Sequence, residues 1–151
     1  MTGFTHLATG TLTAVLLNRY LHLPIEVSSA VILGSLLPDI DHTGSTIGKK
    51  MPFISFLISL FGHRGITHSL AFMLLFLFAG YYSYPFFYGL AVGIGVHIAG
   101  DVLTPSGVPL LWPYKKRFKV IGIRTGTLAD RIIGVSAILV ILFIAAGVKI
   151  V

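Results

Sequence analysis

Ile132-Ile-Gly-Val-Ser-Ala-Ile-Leu-Val-Ile-Leu-Phe-Ile-Ala-Ala-Gly-Val148 is a run of seventeen residues without a charge, and Ser136 is its one hydroxyl. A helix that crosses a hydrocarbon core of about 30 Å needs about 20 apolar residues, or about 17 at the short end. A soluble surface helix of this length would carry a polar stripe, and none is present. Four further apolar segments lie upstream, at Phe4–Tyr20, Val27–Pro38, Thr67–Tyr84 and Pro85–Leu103. Val27–Pro38 is short for a span, so it either continues through the polar residues after it or sits shielded within the bundle. Pro52–Phe61 is too short to cross and fits an interfacial or re-entrant piece. The expected fold is all-α, a single polytopic transmembrane bundle of about five membrane segments over residues 1–151.

The composition agrees. Of 151 residues, 55% are hydrophobic and 11% charged, against about 25% charged in an ordinary soluble domain. The mean hydropathy is +0.92, which leaves too little polar surface to cover a water-soluble core. A soluble enzyme, a disordered tail and a free-standing nucleic-acid-binding domain are excluded. Cysteine is absent, so there is no disulfide framework, Cys-x-x-Cys zinc site or thiol nucleophile. The start, Met1-Thr-Gly-Phe-Thr-His6, has no positive region ahead of its apolar run, so the first segment reads as a retained helix.

The formal charge of +6 is read here as juxtamembrane attraction to anionic lipid, not as nucleic-acid binding. With a cytoplasmic N-terminus, nine basic residues fall inside: Lys49, Lys50, Arg64, Lys115, Lys116, Arg117, Lys119, Arg124 and Arg131. Only Arg19 and Lys149 fall outside. The positive-inside rule therefore turns the loop Thr104–Asp130 to the cytoplasm.

On that topology the ionisable residues gather at one membrane face. His6 opens the first segment, Asp39, Asp41 and His42 close the second, His63, Arg64 and His68 precede the third, and His97 and Asp101 lie one turn apart in the fourth. Ionisable groups in membrane segments are costly and normally pair, line a cavity or bind an ion. Imidazole with carboxylate suits zinc, manganese or iron. His97 and Asp101, at i and i+4, share a helix face. The candidate metal set is His6, Asp39, Asp41, His42, His63, His68, His97 and Asp101, more than one four-coordinate ion needs. It would suit two metals about 3.5–4 Å apart.

Competing readings attach to several of these residues. His22 fits an interfacial polar cap, Ser69 a helix N-cap, and Gly93–Gly95 helix packing. His97 and Asp101 taken alone fit a buried hydrogen-bonded pair equally well. A cation pathway and a purely structural metal site remain as alternatives for the whole cluster. His-Glu-x-x-His and Gly-x-Ser-x-Gly are both absent, which argues against a zincin or a serine hydrolase.

The blocks Leu37-Pro-Asp-Ile-Asp-His42, His63-Arg-Gly-Ile-Thr-His-Ser69 and His97-Ile-Ala-Gly-Asp-Val-Leu-Thr-Pro-Ser-Gly107, with His6 and Trp112-Pro113, carry a resemblance. The chain resembles the bacterial and archaeal family of predicted membrane-bound, metal-dependent hydrolases, which includes a member under SOS-repressor control. That family is distantly similar to zinc-dependent phospholipase C and the S1/P1 nucleases. The resemblance implies helical carriers for the ligands, two zinc ions (manganese as the alternative) and hydrolysis of a phosphate ester or related bond. The expected substrate is an anionic phospholipid of the inner leaflet of the plasma membrane. Asp41 or His42 would serve as acid or base unless ligating. Arg64 would grip phosphoryl oxygens, and Trp112, Lys115, Lys116 and Arg117 would receive the headgroup. The oligomeric state is left open.

Overall fold

A computed structural model describes residues 1–45, 47–60 and 64–147. Among the described residues six helices follow one another: α1 (Gly3–Leu21), α2 (Ile25–Gly34), α3 (Pro52–Ser59), α4 (Leu70–Tyr82), α5 (Phe86–Val102) and α6 (Leu128–Ala145). Two short 3-10 turns, Leu37–Asp41 and Ile66–His68, precede α3 and α4. No strand forms among the described residues, only an isolated bridge between Val108 and Phe118.

Local chemistry sets the ends of these helices. Thr2 caps α1, its hydroxyl accepting from Thr5 N at 3.4 Å, and Ser69 caps α4 in the same way from Phe72 N at 3.3 Å. Helix α2 stops at Gly34, earlier than the apolar run suggests, because Pro38 lacks the amide a further turn would need. The chain tightens into the 3-10 turn that holds Asp39 and Asp41.

Helix α5 is central and packs on α2, α4 and α1, while α6 lies against α1. The α2–α5 approach is close enough to need glycine. A Cβ on Gly93 would sit 2.2 Å from the Val31 carbonyl oxygen and 2.6 Å from Ser35 N, both backbone atoms. Gly89 and Gly93 form the small-xxx-small spacing that lets membrane helices meet backbone to backbone.

The interior is inverted relative to a soluble protein. Among the described residues, three histidines, three aspartates and seven serines and threonines are buried, including His6, His68, His97, Asp41, Asp101 and Asp130. Large apolar side chains face outward, among them Leu75, Phe78, Leu139, Leu142 and Phe143. That is the arrangement expected where lipid solvates the outside and polar groups must be satisfied inside.

Of the five expected membrane segments, one meets the length and hydropathy of a span: α6, with 18 residues and a mean hydropathy of 2.3. Helices α2, α4 and α5 are apolar but have only 10, 13 and 17 residues. A rise of about 1.5 Å per residue leaves α2 and α4 well short of a full crossing. The five-span arrangement is thus not established by the helix lengths. Phe61, Val148 and Lys149 lie outside the described residues.

Candidate metal centre

The elements above bring His6 (α1), Asp39 (the turn after α2), His68 (the turn before α4) and His97 and Asp101 (α5) to one point. His6, Asp41, His68, His97 and Asp101 are each at most 1% exposed. His97 Nε2 lies 3.2 Å from His68 Nε2, 3.7 Å from Asp39 Oδ1 and 3.9 Å from Asp101 Oδ2. His68 Nε2 is 3.6 Å from Asp101 Oδ2, and His6 Nε2 is 3.3 Å from Asp101 Oδ1. The rings of His6 and His97 stack with centroids 3.7 Å apart. Gly100 leaves room for His6, since a Cβ there would lie 3.2 Å from its Cε1.

Hydrogen bonds fix which ring nitrogens face the centre. His97 Nδ1 lies 2.8 Å from the Ser35 carbonyl, which can only accept, so Nδ1 carries the proton and Nε2 presents a lone pair. His68 Nδ1 lies 3.2 Å from Asp41 Oδ2 and 3.0 Å from Thr67 Oγ1. A carboxylate at that distance keeps the proton on Nδ1, so the Nε2 of His68 is the second inward lone pair. Asp41 Oδ2 also accepts from Thr67 Oγ1 at 2.6 Å and from Arg64 N at 2.9 Å. This is the carboxylate–histidine support that orients ligands in metal sites.

His68 and His97 turn their Nε2 atoms toward Asp39 and Asp101, and the buried His6 Nε2 stands beside Asp101, so this set of imidazoles and carboxylates could hold a divalent cation. The 3.2 Å between His68 Nε2 and His97 Nε2 is the spacing two ligands of one zinc ion would have. Zn–N bonds of about 2.05 Å in a tetrahedron put two nitrogens about 3.3 Å apart. Two overlapping triads converge, His6 with His97 and Asp101, and Asp39 with His68 and His97. Burial pushes the Asp39 carboxyl above the ordinary carboxylate range, although His6 and His68 oppose it.

The other expected site residues take different places. Arg64, in a left-handed conformation (φ 54°), donates from Nη2 to Asp101 Oδ2 at 2.9 Å and from Nη1 to Thr104 Oγ1 at 3.0 Å. Its guanidinium therefore grips the protein's own acid. The Met1 amino group bonds the other Asp101 oxygen. His42 is exposed, and its Nδ1 accepts from Gly44 N at 3.0 Å. His63 lies outside the described residues. Trp112, Lys115, Lys116 and Arg117 are exposed on a loop pinned by the reciprocal Val108–Phe118 bonds. None of these four lines the cleft of about 380 Å3 that opens beside Met1–Gly3, Asp39, His42, Arg64 and Thr125. Ser35, Thr67 and Thr104 bond His97, His68 and Arg64 and are not among the expected site residues: Ser35 acts through its backbone carbonyl, which no side-chain pattern signals, and Thr67 and Thr104 stand in the quoted blocks as single hydroxyls.

The family model described as YdjM inner membrane protein matches residues 1–151. The chain belongs to the YdjM inner membrane protein family. Among the family's relatives, the uncharacterized protein YvsG of Bacillus subtilis (strain 168) is 34% identical over 139 residues, 88% of this chain and 87% of that protein. The inner membrane protein YdjM of Escherichia coli (strain K12) is 41% identical over 104 residues, 63% of this chain and 53% of that protein. YdjM of Shigella flexneri matches to the same extent. The chain thus spans about half the length of the YdjM proteins it matches. No solved structure matches. Membership in the YdjM family makes the inverted packing intelligible, since its outward Leu, Ile and Phe side chains belong to a membrane protein.

Proposed function

We propose that the chain is a membrane-embedded, metal-dependent hydrolase that cleaves a phosphate ester or related bond of a lipid at the inner leaflet. In this reading its apolar helices form about five membrane segments, with the N-terminus and the site on the cytoplasmic side. The observation that carries the proposal is the approach of His68 Nε2 and His97 Nε2 to 3.2 Å, flanked by Asp39 and Asp101. His6, Asp39, His68, His97 and Asp101 would hold divalent metal, zinc or alternatively manganese. Asp101 would take part through a carboxylate whose Oδ1 faces His6 and whose Oδ2 faces His68 and His97. Bound there, such ions supply Lewis acidity and a water whose pKa falls toward about 7.

The remaining roles belong to the chain's own groups. Asp41 holds His68 in the ligating tautomer instead of acting as acid or base. His42 lines the cleft beside Asp39, where it would serve as the acid or base. Arg64 holds Asp101 and contributes positive charge at the cleft, where a phosphoryl group would sit. Lys115, Lys116 and Arg117, with Trp112 at the interface, attract anionic headgroups at about 1 kcal/mol per basic residue.

The test is metal content by mass spectrometry of the gently purified full chain beside an Asp39→Ala, His97→Ala double variant. About two ions per chain in the native protein, absent from the variant, support the centre, and turnover is then sought on phospholipids and phosphodiesters. A native chain that holds no metal and refuses added zinc ends the hydrolase reading. Metal flux into vesicles without bond cleavage would replace it with transport, and stability loss on chelation without turnover would leave a structural site.

A further inference from the structure

Asp130 belongs to none of the ligand groups, yet its side chain is fully buried. It stands third in α6, in the spacing Thr127-Leu-Ala-Asp130. Such an acid ordinarily reaches back to the amide of the N-cap residue, here Thr127. Here Asp130 Oδ2 accepts from Gly126 N at 2.7 Å and also from Thr2 N at 3.1 Å. The Thr5 hydroxyl donates to the Asp130 carbonyl oxygen at 3.1 Å. Thr2 is the residue that caps α1. One carboxylate therefore serves the N-termini of two helices, each carrying partial positive charge. The other oxygen, Oδ1, is buried without a hydrogen-bond partner. Burying a carboxylate is costly unless donors satisfy it, and Asp130 draws its donors from the starts of both helices.

The turn so held opens α1. His6 N bonds the Thr2 carbonyl at 3.0 Å, so the turn that Asp130 anchors is the turn that presents His6. The same segment, with Thr125, lines the cleft. We infer that Asp130 is a positioning residue: by stapling α1 to α6 it sets where His6 stands against His97 and Asp101, and so sets the geometry of the metal centre. This rests on the metal reading above.

The experiment uses the full chain in detergent or nanodiscs, as wild type, Asp130→Ala, Asp130→Asn and Thr5→Val, with exposed Glu26→Gln as control. Three quantities are read: zinc affinity by competition, the visible spectrum of added cobalt, and hydrogen exchange over residues 3–8. Asp130→Ala is expected to weaken zinc binding about 10- to 100-fold, as loss of a supporting partner does. It should also alter the cobalt spectrum and speed exchange. Asp130→Asn keeps an acceptor oxygen and should restore most of the affinity and the wild-type spectrum. Thr5→Val should move all three in the same direction by less, and it keeps the proposal testable if Asp130→Ala does not fold. Wild-type affinity and spectrum in Asp130→Ala, even with a lowered melting point, overturn the proposal and leave a packing role. A wild type that binds no metal overturns the metal reading and the positioning role together. Faster exchange in Asp130→Ala would then still mark the staple.

Discussion

Replacing Gly93 with alanine tests whether the α2–α5 contact builds the site. The added methyl would lie 2.2 Å from Val31 O, 2.6 Å from Ser35 N and 2.7 Å from Gly34 C. Ordinary contact begins near 3.4 Å, so α2 must retreat by roughly 1 Å, and backbone cannot swing aside as a side chain can. A gap of that size forfeits about a quarter to a half of each dispersion contact along the interface. Overpacking of this kind costs about 1–3 kcal/mol, and the rigid obstacle argues for the upper end. Alanine regains about 1 kcal/mol of helix propensity over glycine, so the net loss is about 2 kcal/mol. Gly95→Ala is the matched control, because its new methyl meets only the Met73 sulfur at 3.3 Å. That side chain can move, so the propensity gain prevails and stability stays level or rises. The assay is reversible unfolding in mixed detergent, read by tryptophan fluorescence at Trp112 and by circular dichroism. The damage should extend to the metal, since Ser35 O holds His97 Nδ1 and the Asp39 turn follows α2. Gly93→Ala within about 0.5 kcal/mol of wild type, with normal metal uptake, would refute the argument.

Asp41→Asn should leave the chain folded and lower zinc affinity about 10- to 100-fold, measured by competition with a chromophoric chelator. Zinc affinity should fall as pH drops, because each ligand must lose its proton to bind. Asp39, whose carboxyl is pushed above the usual range, adds proton competition at higher pH than an ordinary aspartate would, so the profile of Asp39→Ala should be shallower. Neutralising Lys115, Lys116 and Arg117 together should reduce retention of anionic over zwitterionic lipid by about 1 kcal/mol per charge, read by native mass spectrometry. Metal content should not change.

Much of this was legible in the sequence, for identifiable reasons. Apolar run length located α1, α4, α5 and α6 closely, and Ser69 was readable as a cap because its spacing from the following apolar run is local. His97 and Asp101 were readable as a pair because i, i+4 spacing fixes a shared face on any helix. The support of His68 by Asp41 and of His97 by Ser35 was not, because those contacts join residues 27 and 62 positions apart. Arg64 was expected to face substrate, but Asp101 and Thr104 take its guanidinium, an outcome only tertiary packing decides. Asp130 is outside the candidate metal set, although Thr127-x-x-Asp130 is a readable capping signal. What that signal could not convey is that the acid would bond a second helix.

Helix length also decides how deep the centre lies. For helices along the bilayer normal, His97 stands eleven residues past Phe86, about 17 Å along α5. The ten residues of α2 give about 15 Å before the Asp39 turn begins, and His6 lies fifteen residues from Leu21, about 22 Å along α1. In a core of about 30 Å these depths fall short of the far headgroups, so a lipid ester bond and the ligands would not be level in a thick bilayer. The short α2 and α4 favour local thinning of the bilayer, which would bring headgroups down to Asp39 and the cleft. Turnover of a lipid substrate should therefore fall as the host bilayer is lengthened from 14- to 18-carbon acyl chains, while zinc content stays fixed. Uptake of a water-soluble chelator through the polar cleft should change much less. Equal lipid turnover in thin and thick bilayers would refute lateral delivery by thinning and favour a substrate that enters from water.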